Sequence, residues 1–213
     1  PMPSFIHAVS DIADVMLGSA TKEAQTIQIE NPKEDIKRFV LKQDGEIIET
    51  KDAVDGLTFD VYTNGTYDLL GYDEQELMVG EQSVTVDTFE DMEAEEDPST
   101  HQVTILSRNK DTYQIKVSGT SETVIEATEI KRGVYQAVFD AEKNGSYTFT
   151  AVDMDGKTLK EMTLEITDIP KISKSGEIIL SNEDDLKQIV SNPEGDFVLT
   201  QDIEVKGDPL KGV

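Results

Sequence analysis

KNGSYTFTAVDMDGKTLKEMTLEITDI, residues 143–169, reads as a single β-hairpin. Tyr147 and Phe149 alternate with threonines, the period-two pattern that puts one face of a strand inward and the other toward water. Asp153-Met154-Asp155-Gly156 carries the residues that reverse a chain in a hairpin turn without any metal. Thr163-Leu164-Glu165-Ile166 then returns along the first strand, and Asn144-Gly145 marks the turn that opens the unit.

The same pattern occurs once before. Asn64-Gly65-Thr66-Tyr67 lies 80 residues ahead of Asn144-Gly145-Ser146-Tyr147, and the same displacement carries Phe59 onto Phe139 and Ser83–Val86 onto Thr163–Ile166. Nearer the start of each copy the displacement is 76: Ile27-Gln28-Ile29 meets Val103-Thr104-Ile105, and Phe39 and Leu41 meet Ile115 and Val117. Small loop insertions account for the drift. A repeat of about 80 residues with six or seven short strands has the size of an immunoglobulin-like β-sandwich rather than of a solenoid turn. The expected fold class is therefore mainly β, two tandem immunoglobulin-like sandwiches over residues 23–89 and 101–170, with Phe59 and Tyr67, like Phe139 and Tyr147, buried at equivalent sites.

Outside the repeats the pattern changes. In residues 1–22, Phe5, Val9, Ile12 and Met16 recur at helical spacing after Ser4, a good N-cap, and Gly18 is a stop signal, so a short N-terminal amphipathic helix is expected. Asp11 and Asp14 interrupt the apolar run and no basic stretch precedes it, which argues against a signal peptide. Residues 90–100 crowd Glu90, Asp91, Glu93, Glu95, Glu96 and Asp97 ahead of Pro98. Like charges at that density resist burial, so this segment reads as an acidic linker, either plain or stiffened by calcium on its hard oxygen ligands.

Residues 171–213 follow neither repeat. Ser181, Asp184, Leu186, Ile189 and Val190 suggest a short helix capped by Ser181 and stopped by Asn192-Pro193, followed by a strand-like stretch through Phe197, Leu199 and Ile203. The chain opens on Pro1-Met2-Pro3 and closes on Gly212-Val213, and reads as a piece of a longer polypeptide.

Composition narrows the function. The formal net charge is −25, from 44 acidic against 19 basic side chains, a field that repels nucleic-acid backbones. The apolar runs fall short of the ~20 residues a spanning helix needs, so no membrane insertion by this segment is expected. Cysteine is absent, which removes disulfides, thiolate metal sites and cysteine nucleophiles. The histidines, His7 and His101, are too far apart for His-Glu-x-x-His, and the chain holds no Gly-x-Ser-x-Gly elbow, P-loop or dinucleotide-binding glycine pattern. No catalytic, cofactor-binding or metal residue is assigned. The two Asn-Gly-Thr/Ser sequons coincide with the repeat's turn, whose chemistry asks for Asn-Gly in any case.

The end of the second copy resembles the closing hairpin of bacterial immunoglobulin-like repeats in surface proteins of Gram-positive bacteria, with Asn144, Gly145, Tyr147, Phe149, Asp153, Asp155 and Gly156 at the matching places. The resemblance covers about residues 24–170. It implies a non-catalytic spacer or adhesion region of a large secreted protein at the bacterial surface, whose partners would be a host glycan or protein, or other domains of the same polypeptide. LSNEDDLKQIVSNPEGDFVLTQDIEV, residues 180–205, resembles the opening of a β-helix-like domain of surface adhesins and of zinc metalloproteases similar to immunoglobulin A1 protease, through Ser181, Glu183, Leu186, Asn192, Pro193, Gly195, Phe197, Leu199, Asp202 and Ile203. That match implies the alternative, an accessory region of an extracellular peptidase whose catalytic domain lies elsewhere.

Overall fold

A computed structural model describes residues 12–206. Seven strands build the first repeat: β1 (Asp14–Ala20), β2 (Gln25–Glu30), β3 (Arg38–Gln43), β4 (Glu46–Asp52), β5 (Leu57–Val61), β6 (Gly65–Tyr72) and β7 (Met78–Val86). They form a three-stranded sheet in the order β1-β2-β5 and a four-stranded sheet in the order β4-β3-β6-β7. Both inner faces are built by alternation. Ile27, Ile29 and Phe59 of one sheet and Phe39, Leu41, Tyr67 and Leu69 of the other are essentially fully buried in one core.

The second repeat contributes β8 (Met92–Asp97), β9 (Gln102–Ser107), β10 (Gln114–Gly119), β11 (Thr123–Glu126), β12 (Thr128–Lys131), β13 (Val134–Asp140), β14 (Gly145–Val152) and β15 (Thr158–Ile166). Their sheets run β12-β13-β9-β8 and β11-β10-β14-β15. Phe139 and Tyr147 are buried like Phe59 and Tyr67, as the repeat requires. The Phe139 ring lies 5.2 Å from that of Tyr147 and 5.9 Å from that of Phe149, in the tilted and edge-on arrangements aromatic quadrupoles favour.

The two closing hairpins are identical in register. Gly65 pairs with Val86 and Tyr72 with Met78, and 80 residues on, Gly145 pairs with Ile166 and Val152 with Thr158, each with one irregularity just before the turn. Phe39 sits opposite Gly71, and Ile115 opposite Ala151, so the shorter displacement of 76 at β3 and β10 is also structural. Between β11 and β13 the second repeat also carries β12, a strand for which the first repeat's three-stranded sheet has no counterpart.

Two expectations at the edges of the repeats are corrected. The part of the N-terminal helix that falls within the described residues is the strand β1, pairing Val15 with Ile29 and Leu17 with Ile27; Ser4, Phe5 and Val9 lie outside the described residues. The open flank of β2 offers a ladder of hydrogen bonds that a local 3.6-residue pattern broken by Gly18 cannot match. The acidic stretch is likewise not a loose linker: Met92–Asp97 forms β8. Alternation lets it bury Met92 while Glu95 and Asp97 stay in solvent, so the charges are spread along an edge strand instead of being packed together.

By compactness the chain divides into two units, the first running to Glu93 with Leu106–Thr112 and Ala127–Gln136 added, the second holding Ala94–Ile105, Tyr113–Glu126 and Ala137 onward. Within the second unit, β16 (Ile178–Leu180) and β17 (Phe197–Leu199) pair in parallel, Ile178 with Phe197 and Leu180 with Leu199. A 3₁₀ turn (Asp184–Leu186) leading into α1 (Lys187–Ser191) makes the crossover. The expected helix is there, but Ser181 does not cap it: Ser181 donates both N–H and Oγ–H to Asp185 Oδ2 at 2.8 Å, and Asn182 Oδ1 accepts from Asp185 N–H. Gln188, buried, donates to Asp168 O at 2.9 Å and so ties this crossover to the end of the second repeat.

Candidate functional site

The repeated features are where polar chemistry concentrates. Each sandwich has a tyrosine whose hydroxyl bonds back to the backbone four residues upstream, Tyr67 to Thr63 O at 2.7 Å and Tyr147 to Lys143 O at 2.6 Å. This is the tyrosine corner of immunoglobulin-like sandwiches. Burial pushes the Tyr67 phenol above its ordinary value, against the opposing effect of its Thr63 bonds, so the group is a fixed neutral donor.

Each copy also clamps its own exit. Asn64 Oδ1 accepts from Thr88 and Phe89 N–H, both at 2.9 Å, and its Nδ2 donates to Phe89 O at 2.7 Å. Asn144 does the same to Ile169, accepting at 2.7 Å and donating at 2.9 Å. The sequence suggested a turn residue; the structure adds a brace. In the first copy Gln25, 3% exposed, reinforces it, with Oε1 accepting from Thr88 Oγ1 at 2.9 Å and Nε2 donating to Gly18, Ser19 and Thr26 carbonyls.

The turns are capped alike. Asp73 Oδ1 accepts from Gln75 and Leu77 N–H, and Asp153 Oδ1 from Asp155 and Lys157 N–H. The Asp153 carboxylate is therefore spent on amides. The fourth turn residue has positive φ in both copies, 64° at Glu76 and 79° at Gly156.

Of the histidines, His7 lies outside the described residues. His101 closes the β8–β9 turn at φ 57°, with Nδ1 2.8 Å from Glu96 Oε1. Among the described residues no group of three or more histidine, aspartate or glutamate side chains converges where a metal could sit. Along β8, Glu93, Glu95 and Asp97 share one face and Glu96 the other. Asp97 accepts from Ser99 N–H and Oγ–H, bonds that hold its carboxyl below the usual range and build the turn. Open cavities of about 300, 380 and 540 Å³ lie in the second unit, the largest lined by Glu142, Lys143, Ile169, Pro170 and Ile172 among others. No helix of the described residues is long and apolar enough to cross a membrane.

Strand order, paired sheets and tyrosine corners define a tandem of immunoglobulin-like β-sandwich modules. No protein-family model matches the chain, and no curated protein sequence matches it. Solved structures do. The central fibronectin-III array of RIM-binding protein matches at 13% identity and TM-score 0.30, over 76% of this chain and 65% of that one. SGBP-B of the Bacteroides ovatus mixed-linkage glucan utilization locus, solved with a mixed-linkage heptasaccharide, matches at 15% identity and TM-score 0.34, over 67% and 41%. Domains 7, 8 and 9 of the S-layer protein SbsC match at 12% identity and TM-score 0.28, over 75% and 60%. The chain thus spans less than two thirds of the length of each. The fold class rests on the registers and burial above.

Proposed function

We propose that this chain is a non-catalytic spacer and adhesion region of a large secreted protein of the bacterial cell surface, of the Gram-positive kind, with a host glycan or protein, or other domains of the same polypeptide, as partners. The observation that carries the reading is the duplicated brace. Each module spends its repeated polar side chains, Asn64 and Asn144, Tyr67 and Tyr147, Asp73 and Asp153, on fixing its own backbone, as a scaffold for reach or display requires. Incubating the purified chain with arrayed glycans and host matrix proteins tests it. Saturable binding without turnover is expected, and hydrolysis of any peptide or glycan overturns it.

A second reading, an accessory region of an extracellular zinc metallopeptidase of the immunoglobulin A protease kind, is favoured by the parallel β16–β17 pair with its helical crossover. A His-Glu-x-x-His sequence in the same polypeptide would select it over the adhesion reading.

A further inference from the structure

Arg108 is the least expected charged residue of the first unit. Its side chain is 4% exposed, and the residue gathers groups from three separate places in the sequence. Nη1 donates to Tyr62 O and Nη2 to Lys22 O, each at 2.9 Å. The guanidinium carbon lies 4.5 Å from the centre of the Phe89 ring, and Nη2 is 3.8 Å from Glu93 Oε2. The backbone N–H of Arg108 donates to Asp91 O at 2.8 Å. All of these residues belong to the first unit.

A buried cation is tolerated only where acceptors meet it, and here two carbonyls, an aromatic face and a carboxylate meet the terminal nitrogens and the plane, while Nε has no hydrogen-bond partner. Three of the five partners, Phe89, Asp91 and Glu93, lie in the connection between β7 and β8. That connection begins the acidic run, which mutual repulsion would otherwise push into water.

We propose that Arg108 is a strap that holds the β7–β8 connection shut, fastening residues 89–93 to the loops at Lys22 and Tyr62. It is a positioning residue, and its role is independent of the adhesion reading above. The planar fork matters, because a lysine ammonium cannot reach two diverging carbonyls while lying flat on Phe89. The aromatic seat belongs to this exit, since Ile169 occupies the corresponding place in the second repeat.

The test uses the full chain with Arg108→Ala, Arg108→Lys and, as a control on an exposed ion pair, Lys110→Ala. Cleavage by an endopeptidase that cuts after glutamate is followed at Glu90 and Glu93 relative to exposed Glu194, alongside amide exchange at residues 22–24 and 62–64. Relative cleavage in Arg108→Ala should rise by about tenfold or more, and in Arg108→Lys by less, with faster exchange at both loops and no change in Lys110→Ala. Should Arg108→Ala fail to fold, Arg108→Lys against the unaltered chain carries the comparison. Equal cleavage ratios in the arginine variants, a rise at Glu194 in step with the others, or unchanged exchange at the two loops overturns the proposal.

Discussion

Asn144 grips Ile169 by both of its backbone groups, Oδ1 accepting the N–H at 2.7 Å and Nδ2 donating to the carbonyl at 2.9 Å. A carboxylate in its place keeps the acceptor, loses the donor and sets negative oxygen against a carbonyl. Asn144→Asp and Asn64→Asp should each destabilise their sandwich by about 1–3 kcal/mol. Urea unfolding of the two variants checks this, and the Asn64 variant should suffer more because Thr88 and Phe89 both depend on it.

Tyr67→Phe removes a hydroxyl that donates to Thr63 O and lies 2.9 Å from Thr63 Oγ1. Thr63 is itself buried, so its hydroxyl loses a partner as well. A loss of about 1–2 kcal/mol is expected, larger than for Tyr147→Phe, whose hydroxyl bonds to a carbonyl at the exposed Lys143. Thermal unfolding of both variants decides the order.

Glu76 holds φ 64° where the second copy places Gly156. Its ion pair with Arg38 is half open to solvent and contributes little. Glu76→Gly should therefore raise stability by about 0.5–1 kcal/mol, and Gly156→Glu should lower it comparably. Paired denaturation curves test both signs.

Asp185 ties acidity to the C-terminal crossover. Burial raises its pKa, but the Ser181 N–H and Oγ–H bonds and Lys171 outweigh that, and the net effect holds the carboxyl below its ordinary 3.8. A depressed folded value means the stabilisation is complete above the unfolded value near 3.8 and is lost as pH falls through the folded one. Protection of the Ser181 amide should hold at neutral pH and fade in strong acid, while an Asp185→Asn variant should show a flat profile over the same range.

The hairpins are legible because their signals are local: alternation, a turn opened by aspartate and an Asn-Gly opening repeat at a fixed distance. β1 was not, since its apolar residues satisfy a helical period and only the neighbouring flank of β2 makes them a strand. β8 was hidden by its charge. Met92 was its one clue, and composition cannot show that an edge strand keeps alternate carboxylates wet. The Asn64 and Asn144 braces reach 25 residues along the chain, and Arg108 reaches 86, to Lys22. Such partners leave no trace in spacing. Ser181 was expected to cap the helix, but its hydroxyl is taken by Asp185, a partner that spacing alone does not reveal.

The exit brace has a mechanical consequence. Tension applied to the chain beyond Phe89 would be divided between β7 and the Asn64 side chain, whose three hydrogen bonds join the residues after β7 to the start of β6. Those bonds and the Gly65–Val86 end of the ladder sit side by side, as springs in parallel rather than links in series. They must therefore yield together, so the force needed to peel the last strand from its sheet is shared between the end of the ladder and a single amide side chain at the mouth of the module.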